Sequence, residues 1–86
     1  MVDKLNDTEI YERTRLLLEQ VIPKGPLPDN ISSETRLLED LNVVSARVVD
    51  LVLGLEDAFR IRIEDRLINT LQTVGDVVAL VKGKIT

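Results

Sequence analysis

Apolar residues recur at helical spacing in three segments of the chain, separated by stretches that break the period. In the first segment, about Asp7 to Val21, Ile10, Thr14, Leu17 and Val21 fall on one stripe. Leu18 widens that stripe, while Glu12, Arg13, Arg15 and Glu19 point mostly away. The spacing predicts an amphipathic helix. Asp7 is placed to cap it by accepting from the free N–H groups of the first turn, and Glu9 sits near the positive helix end. Pro23 is expected to stop the helix. The following IPKGPLPDN stretch, with three prolines and a glycine, is expected to be a long turn-rich loop. Leu27 and Ile31 are positioned to pin this loop to a core. Ser32 or Ser33 is expected to cap a short helical turn over Thr35–Leu38. Leu37, Leu38 and Leu41 supply further apolar anchors, with Glu39 and Asp40 as an acidic spot beside them.

The second long element runs from near Ser45 to near Phe59. Val48, Leu51, Val52, Leu55 and Phe59 repeat at i, i+3, i+4, i+7, and Val49 and Leu53 extend the apolar surface beyond one stripe. Gly54 sits mid-helix, where it costs up to ~1 kcal/mol relative to Ala; it either permits close helix packing or has no special role. In RIRIED, Ile61 and Ile63 alternate with charges. A short strand competes here, but it has no partner strand elsewhere, so an extended loop with two inward isoleucines is the preferred reading. Asp65 through Thr70 reads as a brief helical turn, with Leu67, Ile68 and Leu71 apolar. Thr73-Val74-Gly75-Asp76 is a capping box: the hydroxyl and the carboxylate each satisfy an orphan N–H. Val74, Val77, Val78 and Val81 form the buried stripe of the last helix, Leu80 lies beside it, and Gly83 is expected to end it.

Composition narrows the chemistry. The 86 residues fit one domain, 1–86, whose core is built from Leu, Val and Ile because the chain has one Tyr, one Phe and no Trp. There is no cysteine and no histidine. Disulfides, thiolate zinc sites, thiol catalysis and imidazole general-base catalysis are excluded. A carboxylate-only Mg²⁺ or Ca²⁺ site remains open, but no stretch has calcium-loop spacing. The opening MVDKLNDTEI has no apolar run, so no signal peptide is expected. No apolar run approaches the ~17–20 residues that span a bilayer. These features suggest a cytoplasmic protein without a membrane span. Residues 1–43 hold nine acids and five bases, and residues 44–86 hold six of each. Nucleic-acid binding is not expected, because Arg60, Arg62 and Arg66 are interrupted by Glu64 and Asp65.

No converging polar set announces catalysis, so the chain does not read as an enzyme. Glu56 and Asp57 are adjacent and cannot face each other on a helix. Asp50 and Glu56 share no stripe. Ser45 stands out, just ahead of the central apolar helix. Its hydroxyl is suited to cap that helix. A phosphate on the same hydroxyl would also be well placed, because helix amino-terminal N–H groups favour anions.

The stretch from Leu38 to Phe59, LEDLNVVSARVVDLVLGLEDAF, resembles the loop and second helix of the acyl carrier proteins, roughly E-D-L-G-A-D-S-L-D-x-V-E-L-V-x-x-L-E-E-x-F in that family. Ile61-Arg62-Ile63 resembles the family's I-x-I before the third helix, and Thr73-Val74-Gly75-Asp76-Val77-Val78 resembles the start of the fourth. The ordered blocks cover nearly the whole chain. The resemblance implies an all-α four-helix bundle: three main helices, a short third helix and a long first loop. It also implies that a phosphopantetheinyl transferase attaches 4′-phosphopantetheine from coenzyme A to Ser45. Acyl groups would ride on the arm's thiol as thioesters. Partners would be ligase-, acyltransferase- or ketosynthase-type enzymes of fatty-acid, lipid or secondary-metabolite synthesis, and the carrier would be a monomer. Ala46, Arg47, Asp50, Glu56 and Asp57 take the docking positions. Val48, Val52, Leu55, Ile63 and Val74 are candidates to line a sequestered acyl chain, and each is equally suited to ordinary core.

Three positions depart from the pattern. Val44 stands where the family has aspartate, Ala46 where it has leucine, and Arg47 where it has an acid. Together they suggest a specialised carrier with dedicated partners. An unmodified carrier-fold docking module, or a carrier of aminoacyl or polyketide units, is the alternative.

Overall fold

A computed structural model describes residues 6–22 and 30–85. Four helices follow in order: α1 (Asp7–Val21), α2 (Ser45–Phe59), α3 (Asp65–Ile68) and α4 (Val74–Ile85). Helix α1 packs on α2 and α4, and α2 also meets α3 and α4. The expected all-α four-helix fold is therefore present, with α3 a single turn. No helix among the described residues is long and apolar enough to cross a membrane.

The helical period sets which faces are buried. Ile10, Thr14, Leu18 and Val21 of α1 are buried, as are Val48, Leu51, Val52, Leu55 and Phe59 of α2 and Val74, Val77 and Val81 of α4. The one polar residue among them, Thr14, donates its hydroxyl to the Ile10 carbonyl at 2.7 Å, so no donor is stranded. Leu18 rather than Leu17 completes the α1 stripe. Leu17 lies half-buried over Gly54, where an added Cβ would meet Leu17 Cδ2 at 3.0 Å. Glycine at 54 thus lets α1 approach α2.

Several ends differ from expectation by a residue or more. The cap of α1 is Asn6, whose Oδ1 accepts from the Glu9 N–H at 2.8 Å; Asp7 is already helical. Both side chains can cap, and the period does not distinguish neighbours. The positions of Pro23 and Leu27 lie outside the described residues. Ile31 packs half-buried against the core. No helix forms at Thr35–Leu38. Instead Arg36 pairs with Thr73 in an isolated bridge, and turns occupy residues 33–34 and 37–41. Ser32 does cap locally, accepting from the Glu34 N–H at 3.2 Å.

The capping box of α4 is present. Thr73 Oγ1 accepts from the Asp76 N–H at 3.1 Å, and Asp76 Oδ2 accepts from the N–H groups of Thr73 and Gln72 at 3.1 and 3.0 Å. Gly83 does not end this helix, which continues through Ile85. Nothing lies within 4 Å of a Cβ built at Gly83. Gly83→Ala is therefore expected to raise the unfolding free energy by about 0.5–1 kcal/mol, read from urea denaturation at unchanged m.

Residues 61–64 form a loop, with Ile63 buried and Ile61 half-buried, as the alternation implied. Arg60 turns the chain out of α2 in the left-handed region at φ 56°. On the far side of that loop the Lys84 ammonium bonds Glu64 Oε1 at 2.8 Å. That bond, helped by a backbone donor, holds the Glu64 carboxyl below its usual value.

Candidate functional site

Ser45 is fixed in space by the segment before it. Leu37, Leu41 and Val43 are buried and anchor that segment in the core. Its backbone is tied to the approach to α4: the Leu37 N–H donates to Gln72 O at 2.9 Å, the Val74 N–H to Thr35 O at 2.9 Å and the Gly75 N–H to Ser33 O at 2.8 Å. A Cβ at Gly75 would fall 2.8 Å from the Ser33 carbonyl oxygen, so this crossing requires glycine. Asp40 closes the turn, its Oδ2 accepting from the Arg36 N–H at 2.8 Å. Asn42 then adopts φ 58°, which short amide side chains tolerate, and turns the chain into α2.

Ser45 is the first residue of α2, not its cap. The cap position belongs to Val44, which offers no side-chain acceptor. The capping role considered for Ser45 is thus not what the structure shows. Its side chain is exposed, and no hydrogen bond to it forms among the described residues. The N–H groups of Arg47 and Val48 both reach Val44 O, at 2.8 and 2.9 Å. Those of Ser45 and Ala46 find no acceptor among the described residues. An exposed hydroxyl therefore stands beside two open donors at the positive end of a 15-residue helix.

Beside it lies a cleft of about 430 Å³ between the 36–43 segment, the start of α2 and the end of α3. Ser45, Leu38, Val49 and Ile68 line it with Asn69 and Gln72. Leu38, expected as an anchor, is exposed on this wall rather than buried. Of the five residues named as acyl-chain lining, only Val48 reaches the cleft. Val52, Leu55, Ile63 and Val74 are buried in the common core. Sequence reading missed Leu38, Val49 and Ile68 as walls. For Val49 the signal was apolar character in excess of one helical stripe; Leu38 and Ile68 carried only their apolar character.

The five candidate docking residues do not form one uniform face. Ala46, Arg47, Asp50 and Asp57 are exposed. Arg47 and Asp50 pair with each other at 3.3 Å. Glu56 is half-buried, and its Oε2 accepts from the Ile63 N–H at 2.8 Å, tying the 60–64 loop to α2. Among the described residues, no group of three or more His, Cys, Asp or Glu side chains could hold a metal ion.

No family model matches the chain. It is similar, however, to the acyl carrier protein of Borreliella burgdorferi (strain ZS7), at 33% identity over 80 residues that cover 93% of this chain and 98% of that protein. The chain belongs to the acyl carrier protein family. The acyl carrier protein of Thermotoga maritima is 27% identical over 77 residues, 90% of this chain and 93% of its own length. That of Helicobacter hepaticus is 43% identical over 55 residues, 64% and 72% of the two chains. Acyl carrier proteins are carriers, not enzymes, and the lack of histidine and cysteine in this member is consistent with that division of labour.

Proposed function

We propose that the chain is a single-domain carrier that holds acyl groups on a 4′-phosphopantetheine arm esterified to Ser45, and presents them to separate enzymes. The observation that carries this reading is the state of Ser45: exposed, free of a capping bond and next to two open backbone donors. A hydroxyl committed to capping would have to break its bond before modification. This one has none to break. The residues present fit the group. The N–H groups of Ser45 and Ala46 would face its phosphate. The cleft walls, Leu38, Val49 and Ile68 with Asn69 and Gln72, offer apolar and amide surfaces of the kind its chain requires. The arm supplies the thiol on which acyl groups are held as thioesters, so a protein without cysteine loses nothing. Val48, Val52, Leu55, Ile63 and Val74 would line a chain drawn inward from the cleft, with each buried methylene worth about 0.8 kcal/mol.

Partners in this reading are a phosphopantetheinyl transferase and enzymes of the ligase, acyltransferase or ketosynthase type, met by a cytoplasmic monomer. Val44, Ala46 and Arg47 set it apart as a specialised carrier with dedicated partners. The second reading, an unmodified docking module, rests on Val44 in place of the acid next to the serine. Intact mass before and after incubation with coenzyme A, Mg²⁺ and a broad-specificity transferase separates the two. The expected result is a gain of one phosphopantetheine. No gain, with transferases from the same organism included, would favour the docking module.

A further inference from the structure

The cleft beside Ser45 has three walls, and they are not held equally. The 36–43 wall buries Leu37, Leu41 and Val43, and its Leu37 N–H bonds Gln72 O. The α2 wall belongs to a 15-residue helix with five buried side chains. The third wall is Ile68 and Asn69, on the segment that leaves α2 and carries α3. Between residues 62 and 69 only Ile63 is buried, and α3 itself buries nothing. Apart from bonds within its own turns, two hydrogen bonds hold this segment among the described residues, and a carboxylate accepts in both. Glu56 Oε2 accepts from the Ile63 N–H at 2.8 Å, and Glu64 Oε1 accepts from the Lys84 ammonium at 2.8 Å.

Lys84 reaches Glu64 because α4 does not stop at Gly83. The helix runs on to Ile85, and its closing turns also send Lys82 to Asp7 at the start of α1, 3.0 Å away. These two ion pairs join separate elements, whereas Arg36–Glu39 and Arg47–Asp50 are local i, i+3 pairs. In Lys84–Glu64 the side chains are 28% and 46% exposed, against 50% or more in each of the other three. Solvent screens an exposed pair most, so this is the strongest of the four. Arg66, the other cation acting on Glu64, lies on α3 and moves with it.

Resting on the reading of Ser45 as the attachment residue, we infer that Lys84 is an ionic strap: its bond to Glu64 holds the 62–69 segment closed, and its release widens the cleft toward the core around Ile63. The strap sets how readily a chain on the arm is admitted, through a charge on α4 that lines no part of the cleft. A pair this exposed changes an opening equilibrium a few-fold, so it tunes the wall and does not lock it.

Amide hydrogen exchange of the full, unmodified chain, resolved by NMR, tests the strap. Lys84→Gln and Glu64→Gln are each expected to speed exchange across residues 62–69 about threefold, and the double variant no more than either alone, because both remove one contact. Lys82→Gln breaks the pair with Asp7 instead and is expected to leave those amides unchanged. Raising NaCl from about 50 to about 500 mM is expected to speed the wild type toward the variants and to leave Lys84→Gln unaltered. Unchanged exchange in Lys84→Gln would overturn the strap. So would an equal rise at the Leu18 and Val52 amides, which would make Lys84 a general stabiliser of the bundle. Exchange is read without the arm, so these outcomes stand apart from Ser45. A wild type that acquires no mass with the transferase fails the attachment reading, and the role in admitting a chain falls with it.

Discussion

Alanine at position 45 is expected to abolish the mass gain completely and to leave the fold untouched. The first half follows from chemistry: with the oxygen gone, no ester to phosphorus can form at that position. The second half follows from geometry. N-cap serines replaced by alanine typically cost about 1 kcal/mol because an orphan N–H loses its acceptor. Ser45 caps nothing, since Val44 holds the cap position and no bond to the Ser45 side chain forms among the described residues. The melting temperature of Ser45→Ala should therefore lie within about 2 °C of wild type. A drop of about 5 °C or more would mean that the hydroxyl has a structural partner after all. Retained modification in Ser45→Ala would move the attachment to another hydroxyl.

The second large effect lies in the core. Leu55→Ala is expected to lower the unfolding free energy by about 3 kcal/mol. Leu55 is fully buried in the same cluster as Ile10 and Leu18 of α1 and Val77 and Val81 of α4. Removing its branch empties part of the core shared by α1, α2 and α4, which rigid packing can only partly refill. An 86-residue domain commands only roughly 4–13 kcal/mol in total, so the loss would shift the melting temperature by about 15 °C. The result also bears on the lining role proposed for Leu55. If the core around it readily parts to admit a chain, the site can collapse, and the cost should fall toward about 1 kcal/mol.

Much of the fold was legible because helical periodicity is a strong local signal. The spacing of Ile10, Thr14 and Val21 located α1, and the Val48–Phe59 pattern located α2. Thr73 and Asp76 are only three residues apart, so their reciprocal capping could be read directly. What was not legible depends on distance or on choices between neighbours. Asn6 and Asp7 can cap equally well, and only the backbone conformation of Asn6 decides between them. Ser45 marked the start of α2, but no pattern tells a cap from the residue after it. Gly83 carried a stop signal with no proline behind it, and helical packing through Val81 and Ile85 overrode it.

The cleft was the least visible feature. It depends on the Thr35–Leu37 backbone crossing residues 72–75, a contact between segments with no shared period. Arg36 therefore pairs with Thr73 where a helical turn was expected. Glu56 shows the same limit. As an acid on α2 it looked like a docking charge, yet the left-handed turn at Arg60 brings the Ile63 N–H back within its reach. Val49 and Leu53 were visible from the start as apolar residues in excess of one stripe.

The most direct test is the intact mass spectrum of the protein isolated from its native cells, with fragmentation across residues 36–47. A population carrying one phosphopantetheine localised to Ser45, in free and acylated forms, is the result predicted here. A protein recovered wholly unmodified in complex with its partners would contradict it and establish the helical domain as a docking module.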